Sequence, residues 1–394
     1  MSRETARPRA IVVGAGIGGL TAAAALTQAD VDVRVLERAH TLEAVGAGLT
    51  LQPNAILALS RLGLADEVTD TGQRLFTAQI RDRRGRTLMG LSPAAGNELL
   101  AEVGAPAVGI HRATLQRILA AAVGRSAITL GTQVVGVTDE GRGVLLADGT
   151  TLTADIVIGA DGLNSRLRAH LVGQAPPRYA GYYCWRGVGP LSSFQPDWGG
   201  EYWGRGRRFG GCGIDGGRLY WFAVAQGPAD GHDPEGAWAA ALAAVADFPP
   251  EVREAVAATD PAAVFRTDLA DRDPITTWGA GAMTLLGDAA HPMTPNLGQG
   301  ACQAIEDAVV LGAAVWRTGA SPAALRDYER RRQPRANATV LAARQIGEVA
   351  QWSHPVSGAV RDAAARLTPA SVLQRQLRRG WVGGPTPQPS RPMG

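Results

Sequence analysis

The sequence predicts an α/β fold: a doubly wound, Rossmann-like domain whose chain is split by an inserted β-sheet and followed by C-terminal helices. Three observations predict it. The segment Ile11-Val-Val-Gly-Ala-Gly-Ile-Gly-Gly-Leu20 sets a GxGxxG turn between an apolar strand and a helix. A second glycine-rich segment, Leu286-Gly-Asp-Ala-Ala-His-Pro-Met-Thr-Pro-Asn-Leu-Gly-Gln-Gly300, lies far downstream. Between them, residues 178–226 hold five of the six tyrosines and four of the nine tryptophans, an enrichment that suits a half-buried antiparallel sheet.

Ala10–Val13 reads as a short buried strand, Gly14–Gly19 as a turn, and Leu20 to about Ala29 as a helix. Val31–Glu37 alternates apolar and polar side chains and gives the second strand of a βαβ unit. Residues 46–54 read as a loop before a helix carrying Ile56, Leu57 and Leu59. Strands are expected from about Thr77 to Leu91 around an Arg84-Gly85 turn, then a helix over Arg112–Val123. Val134–Leu152 reads as hairpins turning at Glu140-Gly141 and Asp148-Gly149, and Asp155–Ala160 as a buried strand ending in Asp161-Gly162. The aromatic region carries a hairpin turn at Asp215-Gly216-Gly217. After it come a helix around Trp238–Ala246, a strand over Met283–Leu286 and a long helix from about Ala301. Val360–Trp381 reads as a helix packed on the rest of the chain, since no large apolar face marks it for a membrane. The Pro/Gly-rich residues 383–394 are expected to be disordered.

Composition excludes several function classes. A chain of 394 residues with 45% hydrophobic and 19% charged residues is globular. A net charge of +3, with no basic run interleaved with aromatics, argues against nucleic acid. All 39 Lys-or-Arg positions are arginine, which removes lysine Schiff bases and P-loop lysines. Cys184, Cys212 and Cys302 lack disulfide or zinc spacing, and the six histidines are scattered, so no metal site is expected. Residues 1–9 are polar and charged, and no long apolar run exists, so neither a signal peptide nor a membrane span is expected and the location is read as cytoplasmic.

Each glycine of the first motif has a physical task. Gly14 permits the tight turn, Gly16 lets a pyrophosphate approach the backbone, and Gly19 lets helix and strand pack closely. The helix N-terminus supplies free N–H groups and a positive dipole end. Glu37 ends the second strand, where an acid accepts from ribose hydroxyls, while the neighbouring Arg38 leaves a 2′-phosphate, and so NADP, open from this motif alone. An extended cofactor gripped from two distant parts of one chain points to FAD over NAD.

Taken together, three motifs resemble the single-component FAD-dependent monooxygenases, the aromatic hydroxylase class, over roughly residues 8–345. They are Gly14–Gly19 with Glu37, the run Asp155–Ser165 (DIVIGADGLNS), and Gly287-Asp288 with Pro295-Asn-Leu-Gly-Gln-Gly300. The segments Tyr182–Gly187 (YYCWRG) and Trp203–Gly210 (WGRGRRFG) resemble the branch that contains urate hydroxylases, salicylate hydroxylases and zeaxanthin epoxidases. The resemblance implies a Rossmann-like FAD-binding domain with an inserted β-sheet substrate domain and C-terminal helices. FAD-binding segments 1–76, 101–176 and 277–345 would alternate with substrate segments 77–100 (strands) and 177–276, before a helical region and tail at 346–394.

It further implies cofactor contacts from Gly14, Gly16, Gly18, Gly19, Glu37, Arg38, Gly48, Thr50, Arg112 and Val135. Asp161 would lie near both FAD and the nicotinamide donor, and Gly287 with Asp288 at the ribityl chain. Pro295, Gly298, Gln299, Gly300 and Ala301 would form a loop against the flavin ring, at a helix start that favours negative charge on reduced flavin. Arg208 and Tyr220 resemble a catalytic arginine and tyrosine of the urate hydroxylase pocket, although the glycine-rich run Gly210–Asp215 lacks the proline usual there. An arginine contacting flavin and a tyrosine packed in a sheet is the competing reading. His291 is read as a loop brace before a general base.

The implied reaction is hydroxylation of an aromatic or heteroaromatic small molecule by a flavin C4a-hydroperoxide, with NADPH or NADH as transient donor and O₂ as oxygen source. Epoxidation, Baeyer–Villiger-type oxygenation and a flavin dehydrogenase or reductase of the same fold are the alternatives. The expected assembly is a monomer or homodimer.

Overall fold

The computed structural model describes residues 7–42, 47–76 and 79–382. The 383–394 tail and the start of the 46–54 segment lie outside the described residues.

A six-stranded sheet brings distant motifs together. Its strands run in the order Gly279–Ala280, Met283–Leu285, Ile156–Gly159, Arg9–Val13, Asp32–Leu36, Ile128–Thr129. From Met283–Leu285 onward the pairs are parallel, with Val13 opposite both Leu36 and Gly159, and Gly159 opposite Leu285. Parallel register ends these strands on one edge. Gly14, Glu37, Asp161-Gly162 and Gly287-Asp288 therefore leave the sheet side by side at its carboxyl end, where open α/β sheets bind ligands.

The helix Ile17–Gln28 is rich in alanine and buried along most of its length. It packs against the helix Gly300–Thr318, and Gly312 sets their separation: a Cβ there would stand 2.8 Å from the Ala25 Cβ. The helices that follow the two glycine segments are thus locked to each other.

The aromatic region forms most of a seven-stranded sheet, ordered Phe265–Asp271, Arg178–Pro190, Arg218–Gln226, Arg207–Ile214, Gly199–Trp203, Gln79–Asp82, Thr87–Gly90. Alternation divides its side chains. Trp185, Tyr202, Phe209 and Trp221 point back, into an apolar cluster with Ala241, Val252 and Val256 of the helices Ala237–Ala244 and Pro250–Ala257. The front face looks toward the parallel sheet, where Tyr182 meets Asn296 and Tyr220 packs on Gly48.

Four expectations are corrected. The sheet is not wholly antiparallel: Gly199–Trp203 pairs parallel with Gln79–Asp82, because that partner arrives from a distant part of the chain and not through a hairpin. Gly48–Leu51, read as loop, is a strand paired with Ala107–His111; its Gly-Leu-Thr-Leu alternation finds a partner only in three dimensions. Within 77–100 the strands end at Gly90, and Ser92 caps a helix Pro93–Val103, its hydroxyl accepting from Ala95 N–H at 3.2 Å. The single C-terminal helix is two, Pro355–Leu367 and Ala370–Val382, broken before Pro369, which disfavours helical geometry at Thr368. The second packs over the core: Trp381 Nε1 donates to Gln52 Oε1 at 2.8 Å, and Arg335 to the Gly380 carbonyl at 2.6 Å. Among the described residues no helix is long and apolar enough to cross a membrane.

Candidate active site

At the carboxyl edge of the parallel sheet, Gly14 adopts φ +105°, and a Cβ on it would stand 2.4 Å from the Ala160 carbonyl oxygen. Gly19 closes the turn, since a Cβ there would fall 1.9 Å from the Gly14 oxygen, and Gly18 packs near Leu286 and Ala304. Gly16 differs: at the helix N-cap, nothing lies within 4 Å of its absent Cβ. That open space, in front of unpaired helix N–H groups, admits an anion. Glu37 accepts from Ala15 N–H at 2.7 Å and Ala39 N–H at 2.9 Å, which fixes its carboxylate beside the turn. Gln116, not singled out from sequence, donates to the Ala15 carbonyl at 2.8 Å. Arg38 is exposed, and Val135 is exposed on the separate three-stranded sheet.

Asp161 accepts from Arg166 N–H at 2.7 Å through Oδ2, capping the helix Arg166–Val172, while its buried Oδ1 has no partner among the described residues. Burial raises its pKa against the pull of Ser165 and the backbone amides. Asp288 follows Gly287 with its side chain open to solvent, yet the surrounding protein pushes its carboxyl up, with His291 and Arg112 working the other way. Arg112, the exposed first residue of its helix, is near enough for its charge to act on the Asp288 carboxyl.

The second glycine segment begins at Gly287 (φ +61°), whose N–H donates to Asp307. Pro295 opens a short turn ending at Gly298 (φ +61°), and Gly300 starts the helix that carries Ala301. Gln299 is buried and donates to Gln52 at 2.7 Å, tying this loop to the end of the Gly48–Leu51 strand, where Thr50 faces Cys212 at 3.5 Å. Behind the loop lies a charged network. Arg332, 0% exposed, donates to Asp307 at 2.6 Å, Glu306 at 2.5 Å and Gln303 at 2.6 Å. Arg335 and Asn54 complete the shell around Glu306. His291 Nε2 meets the other Asp307 oxygen at 2.5 Å, and its ring packs on Trp278. His291 is 1% exposed and braces the loop. The network escaped sequence reading because Arg332 sits in an unremarkable charged helix.

On the front face of the seven-stranded sheet, register settles who neighbours whom. Tyr220 opposes Val188 and Cys212, Phe222 opposes Arg186 and Gly210, and Val224 opposes Cys184 and Arg208. Arg208 and Tyr220 thus share a face, two positions apart. Arg208 is 2% exposed; it pairs with Glu201 at 3.3 Å and donates to Asn296 at 2.6 Å. Asn296 also donates to the Tyr182 hydroxyl at 2.8 Å, so this corner binds sheet to loop. Burial pushes the Tyr220 phenol well above its ordinary value, partly offset by Arg186, so it stays a neutral O–H donor. Arg186 lies in the row between the two; the YYCWRG segment carried it, but nothing in sequence set it apart from other arginines.

Glycine cradles and an orphaned carboxylate oxygen at the carboxyl edge of a parallel sheet mark a dinucleotide-binding protein. The model of the FAD binding domain family matches residues 7–343, and the chain belongs to that family. It is 40% identical over 372 residues to an aurachin C monooxygenase/isomerase from Stigmatella aurantiaca, covering 94% of this chain and 96% of that protein. It is 41% identical over 347 residues to the 3-amino-4-hydroxybenzoate 2-monooxygenase of Streptomyces cremeus, covering 86% and 87%. Klebsiella pneumoniae HpxO, solved with FAD and uric acid, superposes with a TM-score of 0.89 at 32% identity, over 96% of this chain and 97% of that one. The chain is an FAD-dependent monooxygenase of the flavin hydroxylase type. Its residues fit the cofactor: the space before Gly16, the unpartnered Asp161 Oδ1 and the open Asp288 are what an extended dinucleotide needs.

Proposed function

We propose that this enzyme hydroxylates an aromatic or heteroaromatic small molecule, taking electrons from transiently bound NADH or NADPH and oxygen from O₂. The observation that carries the reading is the front face of the seven-stranded sheet, which sets Arg186, Arg208, Tyr182 and Tyr220 opposite the glycine loops. FAD, when bound, would supply the redox and oxygen-transfer chemistry toward an electron-rich ring.

The chain's own residues bind, orient and exclude water. Gly14, Gly16, Gly18 and Gly19 receive the pyrophosphate, Glu37 the adenosine ribose, and Arg38 and Val135 border the adenosine end. Arg112 and Asp161 flank the phosphates, and Gly287 and Asp288 hold the ribityl chain. Gly48, Thr50, Pro295, Gly298, Gln299, Gly300 and Ala301 surround the ring. The helix beginning at Gly300 directs its positive end there, which favours a negatively charged reduced ring. Tyr220 donates a hydrogen bond or stacks, and Arg208, fixed by Glu201 and Asn296, shapes the pocket wall. The front-face rings of Tyr182, Tyr220 and Phe222 keep water from the site, which protects oxygen transfer from wasteful collapse. The FAD-binding segments 1–76, 101–176 and 277–345 surround the substrate segments 77–100 and 177–276, in a cytoplasmic monomer or homodimer.

The test is a purified yellow protein, followed for NADH and NADPH oxidation with hydroxylated aromatics and heteroaromatics under ¹⁸O₂. A ligand that accelerates oxidation and gains one labelled oxygen supports the reading. Oxidation without oxygen incorporation for every ring would make the enzyme a reductase.

A further inference from the structure

Among the described residues, Arg186 is the arginine of the pocket face with no carboxylate partner. It sits on the Arg178–Pro190 strand, opposite Phe222, with its side chain on the front face. Its neighbours are the Tyr220 phenol and the Cys184 thiol, and no carboxylate within salt-bridge reach of it is found among the described residues.

Geometry explains why. The acid in the same row, Glu201, lies three strands away, in the order Arg186, Phe222, Gly210, Glu201; Asp82, further out on the same face, is taken by Arg86 and Arg366. Gly210 has no side chain, so the Phe222 ring lies across its strand: a Cβ at 210 would stand 2.4 Å from the ring tip and 2.9 Å from Glu201 Cγ. Phe222 therefore stands between acid and base. Glu201 instead turns to Arg208 at 3.3 Å and to Trp203 Nε1 at 2.8 Å. The glycine-rich run beginning at Gly210 is thus what isolates Arg186.

A partly buried guanidinium without a counter-charge is expensive to keep, and burial alone will not discharge an arginine. Such a group is retained where a ligand brings the missing charge. The dinucleotide phosphates do not meet this need, because their cradle is at Gly14–Gly19 on the other sheet. We propose that Arg186 is the specificity-determining residue that pairs with a negatively charged ring substrate, through a carboxylate or a ring oxygen. Arg208, already neutralised by Glu201, is a positioning residue. This deepens the hydroxylase reading and rests on it.

The test uses the FAD-loaded enzyme and binding alone. Benzoate and its neutral amide, benzamide, are titrated against the flavin absorption band, and 4-nitrophenol is titrated through its own phenolate absorbance. Wild-type protein is expected to bind benzoate at least about tenfold more tightly than benzamide, and to favour the bound nitrophenolate over the phenol. Arg186→Gln should remove both preferences. Arg186→Lys, which keeps a charge without the fork, should retain part of them. Arg208→Gln, which frees the Glu201 carboxylate, should weaken benzoate yet still leave it bound more tightly than benzamide. Equal binding of acid and amide by the wild type, failure of either anion to bind, or loss of preference in Arg208→Gln with retention in Arg186→Gln would overturn the proposal. Anion binding intact in an enzyme that inserts no oxygen would count against the hydroxylase reading alone. Oxygen insertion into neutral rings without anion preference would count against Arg186 alone.

Discussion

Arg332 and Arg186 are both withdrawn from water, yet their surroundings are opposite. Arg332 is met on every side: Asp307, Glu306 and Gln303 accept from it, and His291 and Arg335 close the outer shell. Arg186 has a phenol and a thiol for neighbours and no acid beside it among the described residues. The difference teaches where this fold keeps its structure and where it keeps its function. Buried charge answered inside the chain fixes the second glycine loop; buried charge left open is the charge proposed to meet the substrate.

The largest expected effect is on the answered side. Arg332→Met removes the one cation shared by two buried carboxylates, leaving them to His291, Arg335 and Asn54, and should cost about 3–5 kcal/mol of unfolding free energy, measured by urea denaturation of the purified protein. A cost below about 1 kcal/mol would mean the network is an ornament of the helix pair, and the comparison would fail.

The same network sets an acid limb. Burial opposes the charge on Asp307, but His291 and Arg332 prevail and hold its pKa at about 2, below the ordinary 3.8. A folded pKa below the unfolded one adds stability that is complete above about pH 4 and disappears as pH falls toward 2. The contribution is about 2 kcal/mol. Urea midpoints taken across that window should fall in the wild type and fall less in Asp307→Asn. A parallel decline in both would assign the acid limb to other groups.

Arg208 is the intermediate case, buried but paired with a Glu201 that is 22% exposed at its side chain. Arg208→Gln should cost about 1–2 kcal/mol, since water can still reach the abandoned carboxylate. A double-mutant cycle with Glu201→Gln should return a coupling of about 1 kcal/mol. Zero coupling would leave Arg208 as open as Arg186 and undo the distinction between them.

How much of this was legible beforehand follows a physical line. Gly14, Gly16, Gly19 and Glu37 are visible in sequence because a turn and its helix are local, and each glycine answers a short-range steric demand. The boundaries of the Arg112–Val123 helix are legible for the same reason, its Leu115, Ile118 and Leu119 spaced on one buried face. The Gly48–Leu51 strand was missed because its partner, Ala107–His111, is remote and no local signal reveals a strand by its neighbour. The distinction among arginines was beyond reach. In a chain whose basic residues are all arginine, Arg186, Arg208 and Arg332 look alike until the fold says which have acids beside them. Even Gly210, conspicuous in sequence, acquires a purpose only once Phe222 is seen to lie across it.

The smallest expected effect is the most discriminating. Arg186→Gln removes a cation that no acid of the described residues balances, so the unfolding free energy should stay within about 0.5 kcal/mol of wild type or rise. The glutamine keeps a donor for Tyr220 and an aliphatic stem against Phe222, so packing changes little. Urea denaturation of the FAD-loaded protein without substrate measures it directly. A loss of about 3 kcal/mol would place Arg186 with Arg332, as a charge the fold depends on. An unchanged or raised stability would mean that the fold tolerates Arg186 at its own expense, as expected of a group kept for what enters the pocket.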